Sequence, residues 1–284
     1  MILYKKKTDL EAYLLLQKQN GKKNGFVPTM GALHAGHLSL IESSRRDNSK
    51  TICSIFVNPT QFNDPKDFEK YPITIEKDIY MLESAGCDVL FLPSVKEVYP
   101  NGTDIRQRYS LGYLETILEG KYRPGHFQGV CMVMNRLLDI ATADNLYLGQ
   151  KDYQQCMVIT KLIELTGRKD SVKINICPTL REPDGLAMSS RNMRLNNEQR
   201  EKAPSIYQSL QYIKRNLQKG NLTDLKANAV SNLEANGFKV DYIEIANTVS
   251  LQLVNEWDGR TKLVALAAAF LNEVRLIDNL LLNE

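Results

Sequence analysis

Short, almost wholly apolar segments recur through the first 177 residues and alternate with longer segments of helical periodicity. Residues 51–57 and 88–92 are the clearest, and a near-continuous apolar run of this length is typical of a strand buried on both faces. Strands of this kind need helices on both sides of their sheet, so the alternation predicts an α/β fold with a parallel sheet. Ligands of such sheets bind beyond the carboxyl ends of the strands, and we expect the functional residues at that edge.

The same patterns predict the remaining elements and a domain boundary near Pro178. Before the boundary we expect strands at 25–28, 145–148 and 172–177, and helices at 73–85, 130–140, 152–165 and 8–19, the last opened by a capping box of Thr8 and Glu11. After it we expect helices at 197–218 and 223–237 and strands at 240–245 and 262–271. The sequence therefore predicts a large domain at 1–177 and a smaller α+β domain at 178–284.

Charge, hydropathy and cysteine usage exclude several classes of protein. A net charge of +3 over 284 residues is too small to predict a nucleic-acid partner. The longest apolar run, 263–271, is far too short to span a membrane, and the lysines at 5–7 interrupt the segment where a secretory signal needs an apolar stretch. The five cysteines form no C-x-x-C pair, and four lie in apolar runs, which indicates buried reduced thiols and a cytoplasmic location.

Two of the three histidines, His34 and His37, follow the predicted strand 25–28 through a turn at Gly31. The pattern predicts a strand, a glycine turn and the start of a helix, whose backbone N–H groups and positive dipole end bind phosphate. Residues three apart share a helix face, so both imidazoles would lie beside that phosphate. The alternative is a structural cap and an ordinary surface histidine. A metal site is not favoured, because no third ligand stands at a suitable spacing.

Two further polar segments follow predicted strands. In residues 149–152 (Gly-Gln-Lys-Asp), the lysine can hold a phosphate and the aspartate can hold Mg²⁺. The alternative is a helix-capping aspartate beside a solvated lysine. Residues 188–191 (Met-Ser-Ser-Arg) offer two hydroxyls and a guanidinium that suit a triphosphate, although a serine-rich surface loop has the same composition. Gln61 and Gln155 can fix a hydroxylated substrate. His126 stands between glycines, which is typical of a mobile loop, and both a structural turn and a ligand contact are open for it.

Taken together, these segments resemble the pantoate–β-alanine ligase (pantothenate synthetase) family of the H-I-G-H nucleotidyltransferase superfamily. The resemblance implies a Rossmann-like sheet and a two-step reaction. The carboxylate of (R)-pantoate attacks the α-phosphorus of Mg-ATP, giving enzyme-bound pantoyl adenylate and pyrophosphate, and the amine of β-alanine then expels AMP. It also implies a homodimer. The matching stretches, in the family's order, are Val27 to His37, Ser54 to Phe62, Tyr71-Pro72, Tyr99 to Gly102, Glu119-Gly120, Arg123 to Phe127, Gly149 to Gln155, Asp184 to Asn192 and Arg275 to Asn279.

The resemblance also implies a role for each matching position. His37 matches the position assigned as proton donor, although stabilisation of developing charge describes its chemistry better. The implied catalytic residues are His34, His37, Lys151 and Arg191. The implied ATP-binding residues are Met30, Gly31, Ala32, Leu33, His34, Ala35, Gly36, His37, Gly149, Gln150, Lys151, Asp152, Leu180, Met188, Ser189, Ser190 and Arg191. The implied pantoate-binding residues are Gln61, Gln155, Asn58 and Tyr71; Gln61 is also implied for β-alanine, and Asp152 is implied nearest Mg²⁺.

Two positions depart from the wider pattern. The superfamily's second motif has lysines around Met-Ser, whereas this chain has Ala187 before it and Ser190-Arg191 after it, so the phosphate contact of that segment would rest on Arg191. Many family members have glutamate where Gln150 stands, which bears on how Mg²⁺ is ordered.

Three other functions share some of these residues. A nucleotidyltransferase acting on a phosphorylated acceptor would need a cationic acceptor pocket, whereas Gln61 and Gln155 suit a neutral polyol. A tRNA synthetase would need an anticodon domain and a basic stripe, which the residues after Pro178 do not offer. A catalytically silent nucleotide-binding or scaffold protein would have no need of the intact charged residues named above.

Overall fold

The computed structural model describes residues 1–62, 68–104 and 107–283. The chain divides into two compact units. The first comprises Met1–Gln150 and Gln154–Pro178, and the second comprises Lys151–Tyr153 and Thr179–Glu284. No helix among the described residues has the length and hydropathy to cross a membrane.

The first unit is built on a parallel sheet of six strands in the order β1-β4-β3-β2-β5-β6. The strands are β1 (Ile2–Tyr4), β2 (Asn24–Thr29), β3 (Lys50–Ile55), β4 (Val89–Phe91), β5 (Asn145–Gly149) and β6 (Lys173–Cys177). The helices are α1 (Lys7–Gln19), α2 (Ala35–Asp47), α3 (Ile75–Ser84), α4 (Val95–Val98), α5 (Leu118–Tyr122), α6 (His126–Ala141) and α7 (Tyr153–Leu165), α7 beginning at the boundary of the units. The predicted α/β fold with a parallel sheet is confirmed.

The strand order of the sheet places the histidine segment next to the position where the order reverses direction. From β2 the chain moves to β3 and β4 on one side, and it later returns to β5 and β6 on the other. The order therefore reverses between β2 and β5, and ligands of open parallel sheets bind at such a reversal. The histidine segment follows the carboxyl end of β2, and Gly149 ends β5. Sequence reasoning predicted both strands and placed the glycine turn with its histidines after β2 and the polar residues 150–152 after β5.

The second unit is α+β, as predicted. Its main sheet is antiparallel, with β10 (Leu263–Leu271) between β8 (Lys239–Asn247) and β11 (Val274–Leu281). Strands β7 (Gly220–Asn221) and β9 (Glu256–Trp257) form a small ladder. Its helices are α8 (Asn197–Lys202), α9 (Ser205–Arg215) and α10 (Thr223–Ala235). The apolar faces of α9 and α10 pack on the inner face of the antiparallel sheet to form this unit's core.

Three predicted helix boundaries are wrong. Thr8 does not cap α1, because the helix begins at Lys7 and the Lys7 N–H donates instead to Oε2 of Glu97 at 3.0 Å. The helix expected at 197–218 is two helices, because Pro204 has no N–H to continue the backbone ladder. The helix expected at 130–140 begins four residues earlier, at His126. Strands β1, β7, β9 and β11 were not predicted; β1 is too short for a periodicity to register, as are β7 and β9.

The cysteines are free thiols, and all except Cys177 are buried. Burial raises the pKa of Cys87 to about 12 and likewise the pKa of Cys131 to about 12. These two thiols therefore remain protonated at neutral pH, which agrees with the predicted role of the buried cysteines as apolar core residues.

Candidate active site

The histidine segment adopts the predicted strand, turn and helix. Gly31 and Ala32 both take left-handed backbone conformations, with φ of 83° and 49°. His34 then serves as the N-cap residue of α2, and its backbone N–H donates to Nδ1 of His37 at 3.4 Å. The two imidazole rings lie 4.0 Å apart between centroids. The expectation that both histidines share one face at a helix N-terminus is confirmed.

The hydrogen bond at His37 determines what its ring can offer. Because Nδ1 accepts a hydrogen bond from a backbone N–H, a neutral ring carries its own proton on Nε2. His37 can therefore donate a hydrogen bond from Nε2 without being an imidazolium ion. A donor at a helix N-terminus is suited to stabilising negative charge on a phosphoryl group.

Asp78 of α3 holds the turn in front of these histidines, and sequence reasoning missed it. Its carboxylate is fully buried and accepts the backbone N–H groups of Ala32 at 2.9 Å and Leu33 at 2.8 Å. Thr74 adds a hydroxyl donor at 3.0 Å. The carboxylate therefore satisfies the N–H groups that a left-handed turn cannot pair with a neighbouring strand. Nothing in the local pattern distinguishes Asp78 from an acidic residue in the first turn of an ordinary helix.

We expect Asp78→Asn to lower the free energy of unfolding by roughly 2 kcal/mol, because an amide group would face a backbone N–H that now has an acceptor. Urea denaturation of the whole chain measures this change. Glu76→Gln is the matched control, because Glu76 lies in the same helical turn and is exposed. Equal stability of the two variants would show that Asp78 does not hold the turn.

A second group of side chains surrounds the turn Pro59–Gln61, which follows β3. Asn58 is 1% exposed, and its amide nitrogen donates to Oε1 of Gln61 at 3.1 Å and to the Gly129 carbonyl at 3.3 Å. Its amide oxygen accepts the hydroxyl of Tyr99 at 2.8 Å. Burial raises the pKa of Tyr99 to about 12, so this hydroxyl stays a neutral donor. Asn58 thus uses both ends of its amide to orient Gln61 and the turn.

Gln61 in turn connects this group to the end of β2. Its amide nitrogen lies 2.8 Å from Sδ of Met30, at the start of the histidine segment. Tyr71 is buried and packs edge to face on Phe62, with ring centroids 5.7 Å apart. The structure therefore brings together Met30 and Gln61, which were expected at the ATP and pantoate sites respectively.

His126 supports the backbone of Gln61. It is 5% exposed, and its Nδ1 donates to the Gln61 carbonyl at 2.8 Å, while Nη1 of Arg123 lies 3.1 Å from its Nε2. The expectation of a mobile loop around this histidine is wrong, because the residue opens α6 and is held on both nitrogens. Gly129 of the same helix explains the close packing, since a Cβ there would lie 2.1 Å from the Thr60 carbonyl oxygen.

The consecutive glutamines at the start of α7 have opposite environments. Gln154 is buried, accepts the N–H of Glu119 at 2.9 Å and donates to the carbonyls of Leu114 at 2.8 Å and Ile117 at 3.0 Å. Gln155 is half-buried, and its amide has no hydrogen-bond partner among the residues that the structure describes. Gln154 therefore has a structural role, whereas the donors and acceptor of the Gln155 amide are not used by the described part of the chain.

In the second unit, Lys151 and Asp152 lie side by side in one tight turn. Nζ of Lys151 is 3.9 Å from Oδ1 of Asp152, and the lysine side chain is only 16% exposed, compared with 47% for the aspartate. A partly desolvated ammonium interacts strongly with phosphate oxygens. The half-exposed carboxylate beside it is open to an incoming cation.

The segment at 188–191 extends from a small hairpin. The Met188 N–H donates to the Leu180 carbonyl at 3.0 Å, and Arg181 pairs with Ala187. Ser189 then accepts the N–H of Arg191 at 3.2 Å through its hydroxyl oxygen, which leaves the hydroxyl proton as a donor. The hairpin is thus a structured support for this segment, and it places Leu180, which was also expected at the ATP site, beside Met188.

Comparison with known proteins shows which sequences and structures this chain resembles. The family model described as pantoate-beta-alanine ligase matches residues 2–281. A pantothenate synthetase of Cytophaga hutchinsonii is 43% identical over 276 residues, which are 96% of either chain. The solved pantothenate synthetase of Thermus thermophilus has a TM-score of 0.87 and 37% identity over the full length of both chains.

A further comparison adds a liganded relative. The solved pantoate-beta-alanine ligase of Francisella tularensis, described as complexed with beta-gamma ATP and beta-alanine, has a TM-score of 0.81 and 41% identity over 99% of this chain and 97% of that one. With a family match that extends over almost the whole sequence, the chain belongs to the pantoate–β-alanine ligase family.

Proposed function

We propose that this chain catalyses the ATP-dependent condensation of (R)-pantoate with β-alanine, giving pantothenate, AMP and pyrophosphate on the route to coenzyme A. The observation that carries the proposal is the family match over residues 2–281. It is supported by the position of the two histidines at a helix N-terminus, where phosphate groups commonly bind. The description of the Francisella relative, with an ATP compound and β-alanine, supports the choice of two of the substrates.

The proposed chemistry has two steps, adenylate formation and amide formation. A carboxylate oxygen of pantoate forms a bond to the α-phosphorus of ATP, and the bond to the bridging oxygen breaks to release pyrophosphate. The β-alanine nitrogen then bonds to the acyl carbon of the enzyme-bound adenylate, loses a proton and expels AMP. Phosphoryl displacement needs little covalent help, so the protein's contribution is positioning and the stabilisation of charge.

The first unit supplies residues for both substrates of the first step. His34, His37 and the backbone at 30–37 would contact ATP, with Nε2 of His37 donating to a phosphoryl oxygen as charge develops. Gln61 and Gln155 would hold the pantoate hydroxyl and carboxylate groups, and Gln61 would later contact β-alanine. For Asn58 we propose a positioning role, because its amide is engaged with Gln61 and Gly129. Tyr71 would close the apolar side of the pantoate site.

The second unit would supply cationic and hydroxyl groups for the phosphates. Lys151 and Arg191 would neutralise charge on the triphosphate, and Ser189 and Ser190 would donate hydroxyl hydrogen bonds. In terms of the predicted domains, the ATP-binding residues proposed in 1–177 include Gly149, Gln150 and Lys151. Those proposed in 178–284 include Leu180, Met188 and Arg191.

Mg²⁺ fits the donor set if it arrives with the nucleotide. Mg²⁺ commonly takes one or two protein carboxylates and completes its shell with phosphate oxygens and water. Within the described ranges no group of three His, Cys, Asp or Glu side chains could hold a metal ion, so a resident cage is not indicated there. Asp152 would provide the one carboxylate, and the cation would neutralise the phosphates.

We further propose a cytoplasmic homodimer, consistent with the free thiols and with the family.

The test is pyrophosphate release from Mg-ATP with (R)-pantoate, with and without β-alanine. We expect a burst near one equivalent of enzyme with pantoate alone and steady turnover once β-alanine is added. Omitting pantoate is the control for ATP hydrolysis. Absence of pyrophosphate in both reactions would contradict the proposal, and release driven by a phosphorylated acceptor in place of pantoate would favour the nucleotidyltransferase alternative.

A further inference from the structure

Arg181 and Asp278 form a buried, two-pronged ion pair within the second unit. Nη1 of Arg181 lies 2.6 Å from Oδ2 of Asp278, and Nη2 lies 2.9 Å from Oδ1. The Asp278 carboxylate, on β11, has no exposed surface. Burial raises the pKa of Asp278 above the ordinary aspartate value, although Arg181 opposes this shift. The desolvation of these charges makes the pair a poor source of stability, which indicates another reason for its presence.

The same guanidinium fixes the hairpin that carries residues 188–191. It donates to the Gly185 carbonyl at 3.0 Å, on the opposite side of the hairpin turn, and stacks 3.8 Å above the ring of Tyr207. Gly185 approaches that ring so closely that a Cβ would lie 2.5 Å from it, at a φ of 93°. The hairpin is therefore held against Tyr207 of α9 by the Arg181 guanidinium and by the close approach of Gly185.

Asn279, the next residue of β11, fixes the other cationic segment. Its amide nitrogen donates to the Lys151 carbonyl at 2.8 Å. Asn279 is itself held, because its N–H donates to Oδ1 of Asp278 at 2.7 Å and its carbonyl accepts Nη2 of Arg181 at 3.1 Å. Two adjacent buried residues on one strand thus hold the peptide of Lys151 and the base of the hairpin at the same time.

We propose that Asp278 and Asn279 are positioning residues that set the relative placement of Lys151 and the 188–191 segment for the phosphates of ATP. This inference rests on the proposed function and deepens it. Neither residue touches the nucleotide; each acts through a rigid strand on groups that do. A displacement of a charge-stabilising group by about 1 Å is enough to lower the rate of a positioned reaction substantially.

The test compares Asp278→Asn with Asp241→Asn. Asp241 is the matched control, because it too forms an ion pair with an arginine, here Arg275 of β11, at 2.7 Å. The side chains of Arg275 and Arg181 are buried to a similar extent. We expect Asp278→Asn to lower kcat for pyrophosphate release about tenfold with KM for pantoate unchanged, and to speed amide hydrogen exchange in 151–153 and 179–191. Asp241→Asn should change neither kcat nor exchange in those segments. Asn279→Ala removes the side-chain bond to the Lys151 carbonyl and keeps the backbone bonds of residue 279 to Asp278 and Arg181, and it replaces Asp278→Asn if that variant does not fold.

The outcomes separate this inference from the function on which it rests. If the wild type releases pyrophosphate and the Asp278 and Asp241 variants behave alike, the positioning role is wrong and the function stands. If the wild type releases none, the proposed function is wrong, and the exchange data alone decide whether β11 holds both segments. Unchanged exchange in 151–153 for both Asp278→Asn and Asn279→Ala would overturn the inference in either case.

Discussion

Replacing His37 by alanine is expected to lower the rate of adenylate formation by roughly 100-fold or more, which is the usual effect of removing one hydrogen-bond donor to transition-state charge. The structure gives the physical reason. Nδ1 of His37 accepts the His34 N–H at 3.4 Å, so the ring is oriented and Nε2 carries the proton. Single-turnover pyrophosphate release with saturating ATP and pantoate measures this step directly.

Ser39→Ala is the control for the His37 variant. Ser39 lies in the same helix and is half-buried, and its hydroxyl donates to the Gly36 carbonyl at 2.8 Å, so the substitution perturbs the same turn without removing an imidazole. Its rate should stay close to that of the wild type. Near-normal adenylate formation by a folded His37→Ala variant would show that the histidine segment does not perform the chemistry.

Replacing Gln155 by alanine is expected to raise KM for pantoate roughly 30-fold and to change KM for ATP by less than about threefold. A site that hydrogen-bonds a substrate hydroxyl or carboxylate loses that affinity when the amide is removed. Gln155 is suited to this role because its amide has no partner among the described residues. Initial rates over a matrix of pantoate and ATP concentrations separate the two constants.

Gln154→Ala provides the contrast at the neighbouring position. Gln154 makes its three hydrogen bonds to the backbone at 114–119, so its removal should lower the melting temperature while KM for pantoate stays nearly constant in the folded fraction. Equal increases in both KM values for Gln155→Ala would remove this residue from the pantoate site. A pantoate effect of Gln154→Ala as large as that of Gln155→Ala would do the same.

The local pattern of the sequence was sufficient for five of the six strands of the parallel sheet, all except β1, and for the histidine segment. Strands β3 and β4 are buried along almost their whole length, and α2 follows a glycine turn, so each is specified by residues close together in the chain. The carboxyl ends of parallel strands lie at one edge, which is why the polar segments after β3 and β5 could be predicted to share that edge. For the same reason the pairing of His34 with His37 needed no tertiary information.

Only the tertiary structure identified the residues that hold these segments in place. Asp78 reaches a turn 45 residues away, and Asn279 reaches Lys151 over 128 residues. His126 and Gly129 support a turn that lies far before them in the chain, and only their packing distinguishes them from loop and helix residues of the same type. The sequence thus determined which groups could take part in the proposed chemistry, because this depends on residue types and on their spacing along the chain. The fold decided which buried side chains position them, because a hydrogen bond between distant segments leaves no periodic signal in either one.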